Sequence, residues 1–357
     1  MSRRWSGPAR RAARSALAAR DMRSRRLPSL RVEDRPSHTS TIYYLAPKPA
    51  KPAGGVRVIY RHVDVLNAMG CPALVVHPRP GDRCDWFDND TAVTAATHVT
   101  VHSNDVLVVP EYYGPNLKQL PTGTSVVIFN QRAYHTFDRV PYESTDRGSP
   151  YAAIPRLRAL LTVSDDNVRL LRHAFPSVAV HLARQVIDPT VFHPAHAAGR
   201  RIAFMVRRRA QERDTLLHIL RSRGVLAGWD LAPIEGRSEL DTAEILRSCA
   251  LFLSFSEREG FGLPPAEAMA CGAFVVGYTG MAGRDFFDPA YCSPVGEGDL
   301  LAYAQAVEDA IGRYDSDPAS LAAEGAQASR AVLARYTVDN LRQDLSTFYT
   351  SLTTTDA

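Results

Sequence analysis

Residues 251–272 read LFLSFSEREGFGLPPAEAMACG, and their pattern is the best guide to the architecture of the chain. The first six residues are an apolar run typical of a strand that is buried on both faces, and AEAMACG has the small side chains of a packed helix. Two glycines and a Pro-Pro pair stand between them, with Glu259 before the turn and Glu267 after it. The stretch predicts a strand, a tight loop and a helix, with two carboxylates near the strand's carboxyl end.

The same alternation of strand and helix extends in both directions from this stretch. Helical periodicity separates the strands, and Asp241 is expected to cap the helix that begins DTAEIL. Two successive series of this kind predict an α/β fold with two doubly wound parallel sheets, each binding ligands at the carboxyl ends of its strands. The predicted strands are TIYYLAP, ALVVH, DVLVVP, SVVIFN, ALLTVS and VAVHL in the first series, and RIAFMV, WDLAPIEG, LFLSFS and AFVVGY in the second.

The chain length of 357 residues suits two domains rather than one. We assign residues 39–190 to a first Rossmann-like domain and residues 191–330 to a second, with the boundary in 184–198. Residues 1–38 are assigned to a basic arm. Residues 331–357 are expected to form a C-terminal helix that packs back across the domains.

Positive charge is concentrated in the arm. Residues 1–40 carry a balance of +8, whereas the whole chain carries only +4. The folded part is therefore acidic on balance, and nucleic acid is not an expected partner. The arm lacks the apolar core of a secretory signal, and three interpretations stay open: a disordered segment, a helix on anionic lipid, or a transit peptide.

Other broad classes can be excluded from composition. No apolar run approaches the ~18–20 residues that cross a bilayer. The five cysteines are scattered and include no C-x-x-C pair, which argues against a disulfide framework or a zinc site. We therefore expect a cytoplasmic protein, with membrane association only through the arm.

The residue types around the turn suit a sugar nucleotide. Gly260 and Gly262 allow a close approach of the backbone, and Pro265 suits the first turn of a helix. Glu267 would lie in that first turn, where the helix dipole favours a negative charge. A carboxylate accepts hydrogen bonds from two neighbouring hydroxyls, which a ribose or hexose ring offers, and exposed N–H groups of the turn suit phosphate.

This stretch resembles the E-x7-E motif of retaining GT-B glycosyltransferases of family 4, which include bacterial mannosyltransferases and glycogen synthases. About thirty residues carry the likeness, from LFLSFS to GYTG. The resemblance implies the GT-B fold, with two domains facing across a cleft and the nucleotide-sugar donor held by the second. It implies that Glu259 contacts the transferred sugar and Glu267 the ribose. The other donor-binding residues that it implies are Gly260, Phe261, Gly262, Leu263, Arg209 and Gly280.

The basic segment FMVRRRAQERD resembles the donor-phosphate region of the same family. On this resemblance Arg207 and Arg213 would act in catalysis with Glu259: they would hold the pyrophosphate and stabilise charge on the leaving nucleotide, because guanidinium groups bind phosphate bidentately. Arg208 and Arg209 are competing choices for these positions.

The first domain offers weaker candidates for the cleft. Gly54 and Gly55 follow the first strand, where the family has a glycine loop, although a plain turn explains them equally well. Many relatives place a histidine after a first-domain strand. Here no histidine matches by spacing, and the candidates are Asn130, Gln131 and His135.

One acidic motif in the first domain is set aside. Asp88-Asn89-Asp90 spells the D-x-D metal motif of the other glycosyltransferase fold, but it lies in a loop assigned far from the donor motif. Arginines and helix ends carry the phosphate charge in the fold expected here. We therefore expect no metal and no cofactor.

The sequence thus predicts a transferase that moves a sugar from a nucleotide-sugar to an acceptor hydroxyl. The resemblance implies retention at the anomeric carbon without a protein nucleophile, since the leaving phosphate would take the acceptor's proton on the same face. Two alternatives stay open. One is a non-catalytic scaffold that keeps the nucleotide-sugar site. The other is an epimerase or phosphorylase of the same fold, although the second domain has no lysine to bind pyridoxal phosphate.

Overall fold

The structure, a computed structural model, describes residues 21–22, 25–47, 53–195 and 199–354. Within these residues the strands form two large parallel sheets and a small two-stranded one. The two large sheets confirm the predicted α/β fold class. Each is covered by helices or loops, since strand residues such as Leu251 and Leu160 are completely buried.

The first large sheet has seven strands in the order β4-β3-β2-β6-β7-β8-β9, all parallel. Its order reverses between β2 and β6. The strands of the first half of the chain are β1 (Arg31–Glu33), β2 (Ile42–Leu45), β3 (Ala73–His77), β4 (Val93–Ala95), β5 (Thr100–His102), β6 (Val106–Pro110), β7 (Ser125–Asn130), β8 (Leu157–Thr162) and β9 (Val180–Leu182).

The second large sheet has five parallel strands in the order β11-β10-β12-β13-β14. Its order reverses between β10 and β12. In open α/β sheets such a reversal opens a crevice at the carboxyl ends of the strands, where ligands bind. The strands are β10 (Gly199–Met205), β11 (Asp230–Ile234), β12 (Cys249–Glu259), β13 (Phe274–Met281) and β14 (Ser293–Val295).

Eight α-helices of eight or more residues lie in the described ranges, and the last two connect the two sheets. The helix from Pro318 packs on the second domain, where Ser329 Oγ donates to the carbonyl of Ala270. The last helix packs on the first domain, where Tyr349 meets Tyr44 of β2 at 2.9 Å between hydroxyl oxygens. The helices are α1 (Gly54–Ala68), α2 (Asp165–Ala174), α3 (Ala210–Ser222), α4 (Glu239–Arg247), α5 (Leu263–Ala270), α6 (Leu300–Ser316), α7 (Pro318–Arg335) and α8 (Val338–Thr354).

The basic arm is shorter than the sequence suggested. Residues 25–38 belong to the first domain: β1 pairs in parallel with β5, and Leu27, Leu30 and Val32 pack against its core. The burial of these apolar side chains holds residues 25–38 on the domain, although arginines lie among them. The three interpretations of the arm, a disordered segment, a helix on anionic lipid or a transit peptide, fall mainly on residues 1–20 and 23–24, which lie outside the described residues.

Two helix boundaries also differ from expectation. The cap of α4 is Ser238, whose Oγ accepts from the N–H of Asp241, so the helix begins three residues earlier than predicted. The C-terminal segment begins inside α7, because the helix break lies at Tyr336 and Thr337 rather than at 331. The boundary between the two domains within 184–198 stays a prediction.

Candidate active site in the interdomain cleft

The two points of strand-order reversal face each other across the cleft. Gly54, at the start of α1, follows β2 on the first-domain side, and Leu263 begins α5 on the other. They are so close that a Cβ on Gly54 would lie 2.7 Å from Leu263 Cδ1. The structure therefore brings the predicted glycine loop and the predicted donor loop together.

Glu259 ends β12 at an irregular turn of the strand. The pairing of β12 with β13 shifts register between Ser256 and Glu259, and Arg258 has a φ of 48°. The bulge changes the direction of the strand end. Glu259 Oε1 accepts from Arg208 Nε at 3.0 Å, so the structure pairs this carboxylate with an arginine that the sequence offered only as a competing choice.

Arg213, one of the two arginines predicted to hold the pyrophosphate, makes its hydrogen bonds within the second domain. Arg213 is buried on α3 and donates to the carbonyl of Val206 and to Asp214, at 2.7 Å for Nη2. Arg207 follows β10, at the same strand end as Arg208. The phosphate roles given to Arg207 and Arg213 stay predictions.

Arg209 and Gly280 are brought together by a carboxylate that sequence reasoning missed. Glu297 accepts from the guanidinium of Arg209, and its Oε1 accepts from the N–H of Gly280 at 3.0 Å. Arg209 also stacks on the ring of Tyr278 at 4.5 Å and donates to Glu212 at 3.0 Å. Burial raises the pKa of Glu297, against the attraction of Arg209.

The turn itself is shaped by its glycines. A Cβ on Gly260 would overlap the carbonyl oxygen of Gln131 in the first domain. Gly262 has a φ of 98° and caps α5, a conformation that only glycine adopts readily. Phe261, predicted to bind the donor, is buried with its ring 4.7 Å from that of Tyr336, so its side chain belongs to the core and only its backbone faces the turn.

The start of α5 offers fewer phosphate donors than expected. Pro264 and Pro265 occupy its first turn and have no N–H group. Leu263 is therefore the only one of the first three helical residues that has an N–H group. The phosphate role that the sequence gave to this helix start stays a prediction, and the turn before the helix has the remaining N–H groups.

Glu267 lies in the second turn of α5, not in the first, because the helix begins at Leu263. Its carboxylate is buried and pairs with Arg57, which reaches over from α1 of the first domain. The same guanidinium pairs with Glu239 at the start of α4. The sequence did not predict that Arg57 pairs with Glu267 and with Glu239, although Arg57 follows the glycine pair by only two positions.

The first-domain candidates divide into two groups. Gln131 faces the donor turn, and its Nε2 donates to the carbonyl of Gly55 at 2.9 Å. Asn130, in contrast, is completely buried and its Nδ2 donates to Thr136 and Tyr151, each at 2.7 Å. The amide of Asn130 holds the loop after β7, so this side chain does not line the cleft as the sequence predicted.

His135 is part of a charged group at the rim of the cleft. Its Nδ1 lies 2.6 Å from Asp138 Oδ2, and its Nε2 lies 2.6 Å from Arg132 Nη2. Burial lowers the pKa of His135, Asp138 raises it and Arg132 lowers it further. Since Arg132 donates to Nε2, the ring is neutral with its proton on Nδ1.

A second arginine crosses the cleft next to this group. Arg258, immediately before Glu259, donates to the carbonyl of Tyr134 and to Asp138 Oδ1, the latter at 3.2 Å. Arg57 thus pairs with Glu267, and Arg258 precedes Glu259 in the chain. Both arginines make contacts between the domains. No spacing rule in the sequence indicated Arg258.

The acidic loop of the first domain is not remote from the donor motif. The N–H of Glu239 donates to the carbonyl of Trp86 at 3.4 Å, and the Arg57 guanidinium lies over the Trp86 ring at 5.9 Å. Through Trp86 the loop therefore contacts both the start of α4 in the second domain and the arginine that pairs with Glu267. Within the described ranges, no three His, Cys, Asp or Glu side chains form a group able to hold a metal ion.

Comparisons with known proteins show which class of enzyme has this cleft. A family described as glycosyl transferase-like matches residues 200–346. An alpha-1,6-glucosyltransferase of Actinobacillus pleuropneumoniae serotype 7 (strain AP76) is 26% identical over 270 residues, which are 72% of this chain and 79% of that protein. The chain is a glycosyltransferase of the GT-B fold.

Solved structures agree with this fold. The transferase superposes on sucrose-phosphate synthase of Thermosynechococcus elongatus with a TM-score of 0.64 at 14% identity, covering 88% of this chain and 100% of that one. It superposes on HepE of Anabaena, crystallised with UDP and glucose, with a TM-score of 0.61 at 13% identity, covering 87% and 100%. The reaction class that these comparisons support is sugar transfer. None of the described helices has the length and hydropathy needed to cross a membrane.

Proposed function

We propose that this transferase is a retaining enzyme of the E-x7-E type that moves a hexose, with glucose from UDP-glucose as the first candidate, to an acceptor hydroxyl. The observation that carries the proposal is the position of Glu259 and Glu267 at the strand-order reversal of the second sheet, facing the loops from the corresponding reversal of the first. Such a crevice is where open α/β sheets bind nucleotides.

In this proposal the donor lies between Glu267 and Glu259. Glu267 accepts from the ribose hydroxyls and Glu259 from hydroxyls of the hexose. Arg208, paired with Glu259 at 3.0 Å, is near enough to exchange that carboxylate for the diphosphate. The start of α1 at Gly54 and Gly55 has no side-chain cap and directs its N–H groups and its dipole towards the phosphates.

The chemical step needs no protein nucleophile in this proposal. The bond between the anomeric carbon and the phosphate oxygen breaks, and the acceptor oxygen bonds to the same face of that carbon. The acceptor's proton passes to the departing phosphate oxygen. The arginines stabilise the negative charge on the phosphate, and closure of the cleft keeps water from the donor.

The named relatives support the choice of sugar and stereochemistry. The Actinobacillus relative is named an alpha-1,6-glucosyltransferase, and the structure of HepE was determined with UDP and glucose. UDP-glucose is itself α-linked, so an α-linked product corresponds to retention. The same chemistry is proposed for this chain, with an acceptor defined only by its hydroxyl.

The test is a donor screen followed by product analysis. Thermal unfolding is measured with UDP-, GDP- and dTDP-hexoses, because a ligand that binds only the folded state raises its Tm. The donor with the largest shift is then incubated with an acceptor library, and the anomeric configuration of the product is read by proton NMR. We expect UDP-glucose and an α-linked product. A β-linked product would disprove retention, and no shift with any donor would remove the proposed donor site.

A further inference from the structure

The most informative contact that the proposed mechanism does not use is the ion-pair cluster around Arg57. This residue lies on α1, directly after the glycine pair and the valine that follows it, and its guanidinium extends into the second domain. One terminal nitrogen, Nη1, donates to Glu239 Oε1, and the other, Nη2, donates to Glu267 Oε1. One side chain of the first domain therefore connects two helices of the second.

The cluster is shielded from solvent. The side chains of Arg57, Glu239 and Glu267 are only 14%, 13% and 7% exposed. The guanidinium also lies 5.9 Å from the Trp86 ring centre and 6.0 Å from that of Phe192. Two carboxylates and two aromatic faces thus fix its orientation.

Stability alone is a poor explanation for such a cluster. Removing charges from water costs about as much as their attraction returns, and hydrophobic side chains often serve as well. Removing Arg57 would leave Glu239 and Glu267 buried without their counterion. Burial already raises the pKa of Glu239, and the neighbouring charge of Glu267 raises it further.

We propose that Arg57 is a positioning residue of the donor site, which orients Glu267 towards the ribose hydroxyls and does so only when the two domains are closed. Arg57 contacts Oε1 of Glu267. In this proposal the other carboxylate oxygen, Oε2, accepts from the ribose hydroxyls. Because the guanidinium belongs to the first domain, opening the cleft withdraws it and releases Glu267. The inference rests on the ribose role given to Glu267 in the proposed function.

Arg61 is a matched comparison within the same helix. It lies one turn further along α1, and its Nη2 pairs with Asp188 at 3.2 Å in the segment that joins the domains. Its partner is not a donor-site carboxylate. Replacing Arg61 therefore removes an arginine from the same helix without releasing Glu267.

The experiment compares UDP with 2′,3′-dideoxy-UDP by calorimetry, in the wild type and in the variants Arg57→Ala, Arg57→Lys and Arg61→Ala. A hydrogen bond to a charged group contributes about 1.5–3 kcal/mol, so we expect the wild type to bind UDP about tenfold or more tightly than the dideoxy analogue. In Arg57→Ala this ratio should fall to about one, with Arg57→Lys between them, whereas Arg61→Ala should keep the wild-type ratio.

Several results would overturn the proposal. A full ribose preference in Arg57→Ala would show that Glu267 needs no help, and tighter UDP binding in that variant would show that Arg57 competes with ribose. If Arg57→Ala does not fold, an unchanged ratio in Arg57→Lys contradicts the proposal equally. A wild type that binds UDP without any ribose preference instead contradicts the role of Glu267, which separates a failure of the proposed function from a failure of this one.

Discussion

The backbone carbonyl of Gln131 occupies the space that a Cβ on Gly260 would need. Gln131 follows the last residue of β7 in the first domain, and Gly260 follows the last residue of β12 in the second. The two strand ends therefore meet without a side chain between them. Glycine at 260 is required by this contact between domains rather than by its own backbone angles.

Gly260→Ala is expected to keep the domains from reaching this closed position. The added methyl group would also lie 2.9 Å from Asn167 Nδ2, so both neighbours would have to move. A misplacement of about 1 Å at a reacting centre lowers turnover by about 10²-fold, and steady-state kinetics with the identified donor measures the loss. Gly312→Ala is the control, because its Cβ would meet nothing within 4 Å. Normal turnover in Gly260→Ala would contradict the close approach.

The two glutamates of the motif should separate binding from turnover. Glu267→Ala is expected to raise the donor Kd by about tenfold or more, through loss of hydrogen bonds to a charged acceptor. Glu259→Ala should instead lower kcat and leave nucleotide binding largely intact, because its proposed contact is with the transferred sugar. Calorimetry with UDP and turnover of the donor give the two values. Full activity in both variants would remove both site assignments.

Acid should destabilise the fold through a buried histidine. Burial lowers the pKa of His62 to about 3, from 6.5 in the unfolded chain. The folded protein keeps this imidazole neutral while the unfolded chain takes up a proton, so its contribution is present above pH 6.5 and is lost as the pH falls towards about 3. The expected loss is about 1.4 kcal/mol per pH unit in this range.

Urea unfolding between these pH values tests this expectation. The free energy of unfolding should fall less steeply with acid in His62→Phe than in the wild type. The control is His98→Gln, since His98 is exposed, and it should follow the wild-type slope. Equal slopes for His62→Phe and the wild type would contradict the buried neutral ring.

Asp285 provides a helix cap from the opposite domain. Its Oδ2 accepts from the backbone N–H groups of Asp165 and Asp166, at 2.8 and 3.3 Å, at the start of α2. Loss of a capping side chain costs about 0.5–2 kcal/mol. In Asp285→Ala we expect that loss in urea unfolding and faster hydrogen exchange at both amides. Asp288→Ala is the control, because the Asp288 side chain accepts within its own loop, from the N–H of Ala290. Unchanged hydrogen exchange at both capped amides in Asp285→Ala would refute the cross-domain cap.

Arg258 combines a cross-domain contact with an unfavourable backbone angle. Its φ is 48°, which costs about 1 kcal/mol for a residue with a Cβ. Both Arg258→Gly and Arg258→Ala lose the contacts with Tyr134 and Asp138. The glycine variant should nevertheless be about 1 kcal/mol more stable than the alanine variant in denaturant titrations. An alanine variant of equal or greater stability would show that the angle carries no strain.

The fold could be predicted well because local patterns determine it. Uniformly apolar runs such as LFLSFS predict strands buried on both faces, and these runs became β2, β3, β6, β7 and β12. The position of Glu259 at the end of a second-domain strand also followed from the sequence, since a strand, a glycine turn and a helix are adjacent in the chain. The same reasoning placed Gly54 and Gly55 after the first strand.

The sequence was less reliable where the partner is distant. The pairing of Arg208 with Glu259 was not predicted, because the turn after β10 decides where each of three successive arginines points. Asn130 and Gln131 are neighbours in the chain, but one is buried in a loop and the other faces the donor turn. One-residue differences of this kind depend on side-chain direction, which composition and spacing do not encode.

Local sequence patterns were thus sufficient for the two α/β domains, the strand–turn–helix unit and the two carboxylates that flank the turn. What those carboxylates contact became visible only in the folded chain. The pairing of Arg57 with Glu267 joins positions 210 residues apart, and the approach of Gln131 to Gly260 also depends on how the two domains meet. Local patterns fix the backbone of each element, whereas contacts across the cleft arise only after both domains have folded.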